Sequence, residues 1–323
     1  MRLRMAAVGL VVALAGCASG STASLPVEVP ALPPPRPVDV QDPAPMPSGP
    51  PEAERCDAQA SYRPRGPLPQ PGAMPAGSTM ARIVREGRLV VGVSQTTYLF
   101  GYLDPGSGRL SGVDIDIARE IATALFGDPD KVQLRSMAAA ERIPAIQAGT
   151  VDMIIRTTSM NCERWRQVAF STSYYAANQR ILVRADSAVR SIADLGGKKV
   201  CAAAGSSDLA NIAAQPSRPV PVAAVEVLDC LVLLQQGQVD AISNDDAQLA
   251  GFVAQDPTTK VVGPPIRVEP YGIMMAPTEV DLVRFVNGVL DQMRTDGRLA
   301  AIYQRWLTSL GDVPTPPAAR YRD

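Results

Sequence analysis

Along "VDIDIAREIATALFG" the apolar residues Ile117, Ile121 and Leu125 recur at helical spacing, which predicts a helix that buries one face. Short apolar runs, "GRLVVGVSQ" (87–95) and "GKKVCAAAGSS" (197–207), predict buried strands and resemble each other weakly. A clearer echo joins "AIQAGTVDMII" (145–155) and "LLQQGQVDAIS" (233–243). In each, a glycine, Gly149 or Gly237, stops a helix, and Val-Asp then leads into a buried strand. The pattern predicts two similar α/β lobes.

Strands alternating with helices predict parallel sheets covered by helices, whose ligands bind beyond the carboxyl ends of the strands. The polar residues after the echoed strands, "RTTSMNCER" and "SNDDAQ", are therefore the site candidates. Beyond residue 271, "YGIMMAP" and two amphipathic segments are too short for a third domain and predict a return to the first lobe. The expected organisation is a discontinuous lobe 1 (80–177 plus 272–312), an inserted lobe 2 (178–271) and a C-terminal tail (313–323). Two crossings between the lobes make a hinge.

The N-terminus follows a different pattern. Arg2 and Arg4 precede an apolar run from Met5 to Ala15 that is too short to span a bilayer, and "LAGC" ends at Cys17. This resembles a lipoprotein signal: residues 1–16 are expected to be removed and Cys17 lipidated, which places the protein on the extracytoplasmic side of the cell membrane. Residues 17–79 hold about half of the chain's 30 prolines. They predict an extended tether without a core.

Charge and composition remove several function classes. The formal net charge is −1 and no basic stripe is present, so nucleic acid is not an expected partner. The chain has no histidine, which excludes His-based triads and His-ligated zinc. Apart from Cys17, Cys56, Cys162, Cys201 and Cys230 form an even set without a CxxC spacing, so two disulfides are expected rather than a metal or redox site. No cofactor is expected.

Asn244, Asp245 and Asp246 end an apolar strand, with no Lys or Arg within ten residues on either side. Asp246 suits the start of the following helix, whereas Asp245 calls for a cation from elsewhere. Asp114 and Asp116 open a helix and suit its dipole rather than a metal.

The ordered motifs "GRLVVGVS", "SGVDIDIAREIA", "ERIPAIQAGTVDMII", "TTSMNCERWRQVAFSTSYY", "GKKVCAAAGSS", "QVDAISNDDAQLAG", "YGIMM" and "VNGVLDQMRTDGRLAAIYQRWL" resemble the polar-amino-acid family of bacterial extracellular solute-binding proteins over about residues 80–311. With the lipobox, the Pro-rich stretch and the four cysteines, the likeness is strongest to the glutamine-binding lipoprotein branch from mycobacteria and other actinobacteria. The resemblance implies a two-lobed, periplasmic-binding-protein-like (type II) α/β fold with a hinge and an interlobe cleft that holds a free amino acid. By position, Arg164 takes the ligand's α-carboxylate and Asp245 its α-ammonium. Thr157 and Ser159 supply strand-end hydroxyls, Ser206 and Ser207 stand at the start of a lobe 2 helix, and Ser94 ends the first strand. In members that bind acidic amino acids an Arg before the first echoed helix reaches the side-chain carboxylate. Here it is Arg142, with Arg156 as a second donor that strand alternation is expected to turn away.

The chemistry agrees with this set. A guanidinium pairs a carboxylate through two parallel hydrogen bonds, which Lys cannot do, and a zwitterion supplies the cation that Asp245 lacks. The expected ligands are glutamate and aspartate, then glutamine and asparagine. The expected partner of the monomeric protein is an ABC-type permease or a transmembrane nutrient sensor. The rival reading is a dehydratase-like enzyme on the same scaffold, which needs a general acid in the cleft, with Glu141 and Glu163 as its nearby candidates. Cys201 and Cys230 lie on successive βα units of lobe 2 and are expected to pair, leaving Cys56 for Cys162.

Overall fold

The computed structural model describes residues 34–45, 56–311 and 313–323, so Cys17 and the signal-like segment lie outside the described residues. After helix α1 (Thr79–Glu86) come β1 (Leu89–Val93), a small hairpin sheet of β2 (Thr96–Thr97), β3 (Gly101–Asp104) and β4 (Arg109–Ser111), and α2 (Val113–Phe126). They are followed by β5 (Val132–Ser136), α3 (Arg142–Gln147), β6 (Met153–Ile154), α4 (Cys162–Trp165) and β7 (Ala169–Phe170). The chain then crosses on β8 (Tyr175–Arg184) into β9 (Lys199–Ala203), α5 (Ser207–Ala213), β10 (Val220–Ala224), α6 (Val227–Gln235), β11 (Ala241–Asp245) and α7 (Asp246–Gln255). It returns on β12 (Thr259–Tyr271) to β13 (Met274–Met275), α8 (Val280–Thr295) and α9 (Arg298–Leu307).

Each lobe has a five-stranded sheet: β5-β1-β6-β13-β7 in lobe 1 and β10-β9-β11-β8-β12 in lobe 2. The sheets are mixed rather than wholly parallel. β1 runs parallel to β5 and β6, and β9 to β10 and β11, but β13, β7, β8 and β12 lie in antiparallel pairs. The reason is topological, since a strand arriving from the other lobe enters its sheet in the opposite direction. β8 and β12 lie side by side from Gln179↔Arg267 to Tyr175↔Tyr271, and this double strand is the link between the lobes.

The helical face read from the sequence is the buried one: Ile117, Ile121 and Leu125 are fully inaccessible in the lobe 1 core. The echoed glycines also have a physical reason. Gly149 (φ 62°) and Gly237 (φ 67°) adopt the left-handed conformation just after α3 and α6, which a Cβ would strain.

The Pro-rich stretch departs from a free tether. Gln41 forms an antiparallel bridge with Ala223 on the β10 edge (2.9 and 3.0 Å), Ala44 is buried in the lobe 2 core, and Asp42 pairs with Lys199 at 2.8 Å. On lobe 1, the Ser61 hydroxyl donates to Phe170 O (2.6 Å) and accepts from Asn287 Nδ2 (2.9 Å), and Trp165 Nε1 donates to Ala58 O (2.8 Å). The tail is docked as well: Tyr321 bridges to Ser61, Arg320 pairs with Asp57, and the Arg322 guanidinium lies 3.8 Å from the Trp165 ring centroid. Proline leaves a segment unable to form its own ladder, but its carbonyls and apolar rings still pack where a sheet edge or an aromatic side chain receives them.

Both disulfides are present in the expected pairing. Cys56 joins Cys162, with Cα atoms 5.8 Å apart, and Cys201 on β9 joins Cys230 on α6, with Cα atoms 5.6 Å apart.

Candidate functional site

β6 ends at Ile154, so the residues after it are not bound to strand alternation. Thr157 has φ 38°, an uncommon conformation for a residue with a branched Cβ. It is held there by the first turn of α2, where Asp114 Oδ2 accepts from Thr157 N (3.1 Å) while Oδ1 accepts from the Tyr174 hydroxyl (2.8 Å). Burial pushes the Asp114 carboxyl up to about 6, against the two hydrogen bonds that favour its ionised form. Asp116 instead ties α2 to α9 by accepting from Arg305 (2.9 Å) and from Trp306 Nε1 (2.7 Å).

That backbone turn brings three arginines to one wall. Asn161 caps α4 by accepting from Arg164 N (2.8 Å), and the Arg164 guanidinium donates to Ser159 O (2.6 Å) and to Gly205 O (3.1 Å). Arg142 donates to Ala139 O (2.7 Å), the Thr158 hydroxyl (2.9 Å) and Gly205 O (3.3 Å). Arg156, which alternation was expected to turn away, donates to Met137 O (2.8 Å) and to Glu226 (2.9 Å). Among the described residues neither Arg142 nor Arg164 has an ion-pair partner. Burial, then the charges of Arg164 and Arg156, push the Arg142 pKa well down, and burial lowers that of Arg164.

Lobe 2 faces this wall with carboxylates. Asp245 is 2 % exposed at the end of β11; its Oδ2 accepts from the Tyr271 hydroxyl, and its buried Oδ1 has no hydrogen-bond partner. Asp208 Oδ1 is likewise buried and unpartnered. Burial followed by the neighbouring acids Asp208 and Glu269 pushes the Asp245 carboxyl well above its ordinary range. Burial and then Glu269 push Asp208 up to about 8. Asp246 is turned aside, accepting from Asn178 N (3.2 Å) and Nδ2 (2.9 Å), which fits its reading as a helix-start residue.

The lobes are closed on each other. Ser207 Oγ donates to Ser159 Oγ (3.0 Å), Glu226 meets Arg156, and Gly205 O receives both Arg142 and Arg164. Gly205 (φ 71°) permits that approach, since a Cβ there would sit 2.9 Å from Ala140 Cα. The cavity between the lobes has an empty volume of about 410 Å³, its open mouth included.

Its lining contains Arg164, Asp245, Thr157, Ser159, Ser206, Ser207, Arg142 and Arg156, so one cavity gathers eight of the residues singled out in the sequence. Ser94 is the exception. Its hydroxyl is fully buried and accepts from Thr96 N (3.2 Å), Thr97 N (3.2 Å) and Thr97 Oγ1 (2.9 Å), so it shapes the turn while Thr97 faces the cavity. Asn244 and Gln248, from the "SNDDAQ" candidate stretch, also line it, as do Thr97, Asp208 and Glu226, which were not foreseen. Asp208 had a signal, since it follows Ser206 and Ser207 directly; Glu226 had none. Among the described residues no aromatic ring is part of the lining. Glu141 and Glu163, the acids a dehydratase would use, are exposed and outside the lining, and Glu141 is engaged by Ala138 N (2.6 Å).

Two α/β lobes closing through a double-strand hinge on a cavity lined by opposed guanidinium and carboxylate groups define a solute-binding protein. The chain belongs to the bacterial extracellular solute-binding proteins, family 3, whose family model matches residues 89–309. It is 35 % identical over 230 residues to the ABC transporter glutamine-binding protein GlnH of Bacillus subtilis (strain 168), covering 71 % of this chain and 84 % of that one. It is 28 % identical to the glutamate/aspartate import solute-binding protein of Salmonella typhimurium, covering 76 % of this chain and 83 % of the relative. Among solved structures, an ancestral arginine-binding protein bound to glutamine superposes with a TM-score of 0.64 at 33 % identity, over 68 % of this chain and 97 % of that one. These relatives are binding proteins, and the reading as a binding module rather than an enzyme stands.

Proposed function

We propose that the protein captures a free amino acid with a short polar side chain and closes over it for ABC-type uptake or transmembrane nutrient sensing. The observation that carries this reading is that the buried Asp245 Oδ1 has no hydrogen-bond partner and that Arg164, which lines the same cavity, has no carboxylate partner among the described residues. Burying lone charges of either sign is costly, and a zwitterion relieves both costs at once. Arg164 takes the α-carboxylate and Asp245 the α-ammonium, with Thr157, Ser159, Ser206 and Ser207 around them. Arg142, also without an ion-pair partner among the described residues, takes the side-chain carboxylate or amide oxygen. Glutamate and aspartate are the preferred ligands, with glutamine and asparagine weaker. The lining without an aromatic ring supports the exclusion of large apolar side chains.

Titration calorimetry of the full chain against the twenty amino acids tests this. Acids are expected to bind about tenfold or more tighter than their amides, with leucine and arginine silent. Equal binding of leucine and glutamate would refute the ligand class, and an Arg142→Ala variant with an unchanged acid-to-amide ratio would refute the role of Arg142.

The raised Asp245 pKa adds a pH signature. In the empty cavity Asp245 holds its proton to a higher pH than an ordinary Asp. A bound ammonium favours the ionised form, so binding lowers that pKa and releases protons at any pH between the bound-state and free-state values. By linkage, affinity must then rise as pH rises, until Asp245 is ionised in the free protein too. Affinity measured by calorimetry over a pH series should rise with pH until it levels off; an affinity that does not rise with pH at any point of the series would contradict it.

We further infer that Cys17 is lipidated and holds the protein at the extracytoplasmic face of the membrane. No helix among the described residues is long and apolar enough to cross one. A Cys17→Ser chain should leave the membrane fraction with its ligand affinity intact, and its retention there without detergent would count against the anchor.

A further inference from the structure

Among the described residues Glu226 is the one acid that meets the arginine wall through a direct ion pair across the cavity. Its backbone N–H donates to Asp229 Oδ2 (3.2 Å) at the start of α6, which leaves its side chain to reach over to lobe 1. There Oε2 accepts from Arg156 Nη2 (2.9 Å) and from the Thr96 hydroxyl (3.0 Å). Arg156 is itself fixed by its bond to Met137 O and is only 7 % exposed at the side chain, so its charge finds little solvent and is answered chiefly by Glu226. Both residues line the cavity beside Arg142.

We propose that Glu226 is a specificity-determining residue: on closure it occupies Arg156, so that Arg142 alone is left to answer the ligand's side chain. This deepens the amino-acid reading above and rests on it. With Glu226 in place, Arg142, Arg156 and Glu226 together carry one net positive charge, which suits an acidic side chain yet tolerates an amide. Without the Glu226 carboxylate the same group carries two, and an acidic ligand gains a second guanidinium partner. Without Arg156, Glu226 faces the ligand uncancelled and repels an acid more than an amide. The ratio of glutamate to glutamine affinity therefore reports this residue, while any loss of closing strength weakens both ligands and cancels in the ratio.

The test measures that ratio by calorimetry on the detergent-solubilised full chain. Glu226→Gln should raise the preference for glutamate over glutamine by at least about tenfold, and Arg156→Gln should lower it by a similar factor. The double variant should return near the starting ratio. Equal weakening of both ligands in Glu226→Gln, with the ratio unmoved, would overturn the proposal and leave Glu226 a closing contact only. If Glu226→Gln does not fold by circular dichroism, an unmoved ratio in Arg156→Gln overturns it equally. A wild-type chain that bound neither ligand would overturn the amino-acid reading itself, a result separable from either outcome above.

Discussion

Arg164→Ala and Asp245→Ala are each expected to weaken amino-acid binding by at least roughly thirtyfold, because removing one partner of a desolvated charge pair costs about 2 to 5 kcal/mol. The two changes differ in what they leave behind. Without Arg164, the ligand carboxylate meets a wall in which Arg142 already donates to Gly205 O and the Thr158 hydroxyl. Without Asp245, the ammonium loses its acceptor and the Tyr271 hydroxyl loses its own. In the ligand-free protein, Asp245→Ala also removes a buried carboxylate whose ionisation burial and neighbouring acids oppose, which offsets part of the cost of leaving the Tyr271 hydroxyl unpaired. Near-normal affinity in either variant, with an unchanged circular dichroism spectrum, would mean that the ligand's charges are held elsewhere.

The second large effect is on stability and comes from the segment that composition marks as a tether. The Cys56–Cys162 bridge spans a sequence separation of 106 residues, and a loop of that size is expected to stabilise the fold by about 2 to 5 kcal/mol through the unfolded chain. Replacing both cysteines by alanine should lower the urea midpoint accordingly while the ligand affinity holds. Deleting residues up to 78 should cost more, because Asn287 then loses its acceptors Ser61 Oγ and Tyr62 O, and Trp165 loses its Ala58 acceptor. A body starting at residue 79 that matched the full chain in urea would show that the docked segment contributes nothing.

What the sequence disclosed and what it hid have physical reasons. Periodicity exposed α2 because Ile117, Ile121 and Leu125 meet one core, and the two glycine stops exposed the repeated helix–strand unit because a left-handed residue admits few side chains. Asp245 was legible as a charge stranded at a strand end. The docking of residues 36–45 and 56–78 was not, since a Pro-rich segment has no period and its partners, Ala223, Phe170 and Trp165, lie far along the chain. Arg156, named as a second donor, lines the cavity; only the expectation that alternation would turn it away fails, because the strand has already ended at Ile154 and Thr157 turns the backbone. Glu226 enters the cavity only when the lobes meet, which no local pattern records.

The most direct test of the binding reading removes one charge at a time from the ligand rather than from the protein. Calorimetry would compare L-glutamate with glutarate, which lacks the ammonium, and 4-aminobutyrate, which lacks the α-carboxylate. With Arg164 and Asp245 as the two anchors, glutamate should bind and both analogues should fall by at least roughly thirtyfold. Glutarate binding as tightly as glutamate would contradict the role of Asp245, and with it the claim that this cavity is built for an amino acid.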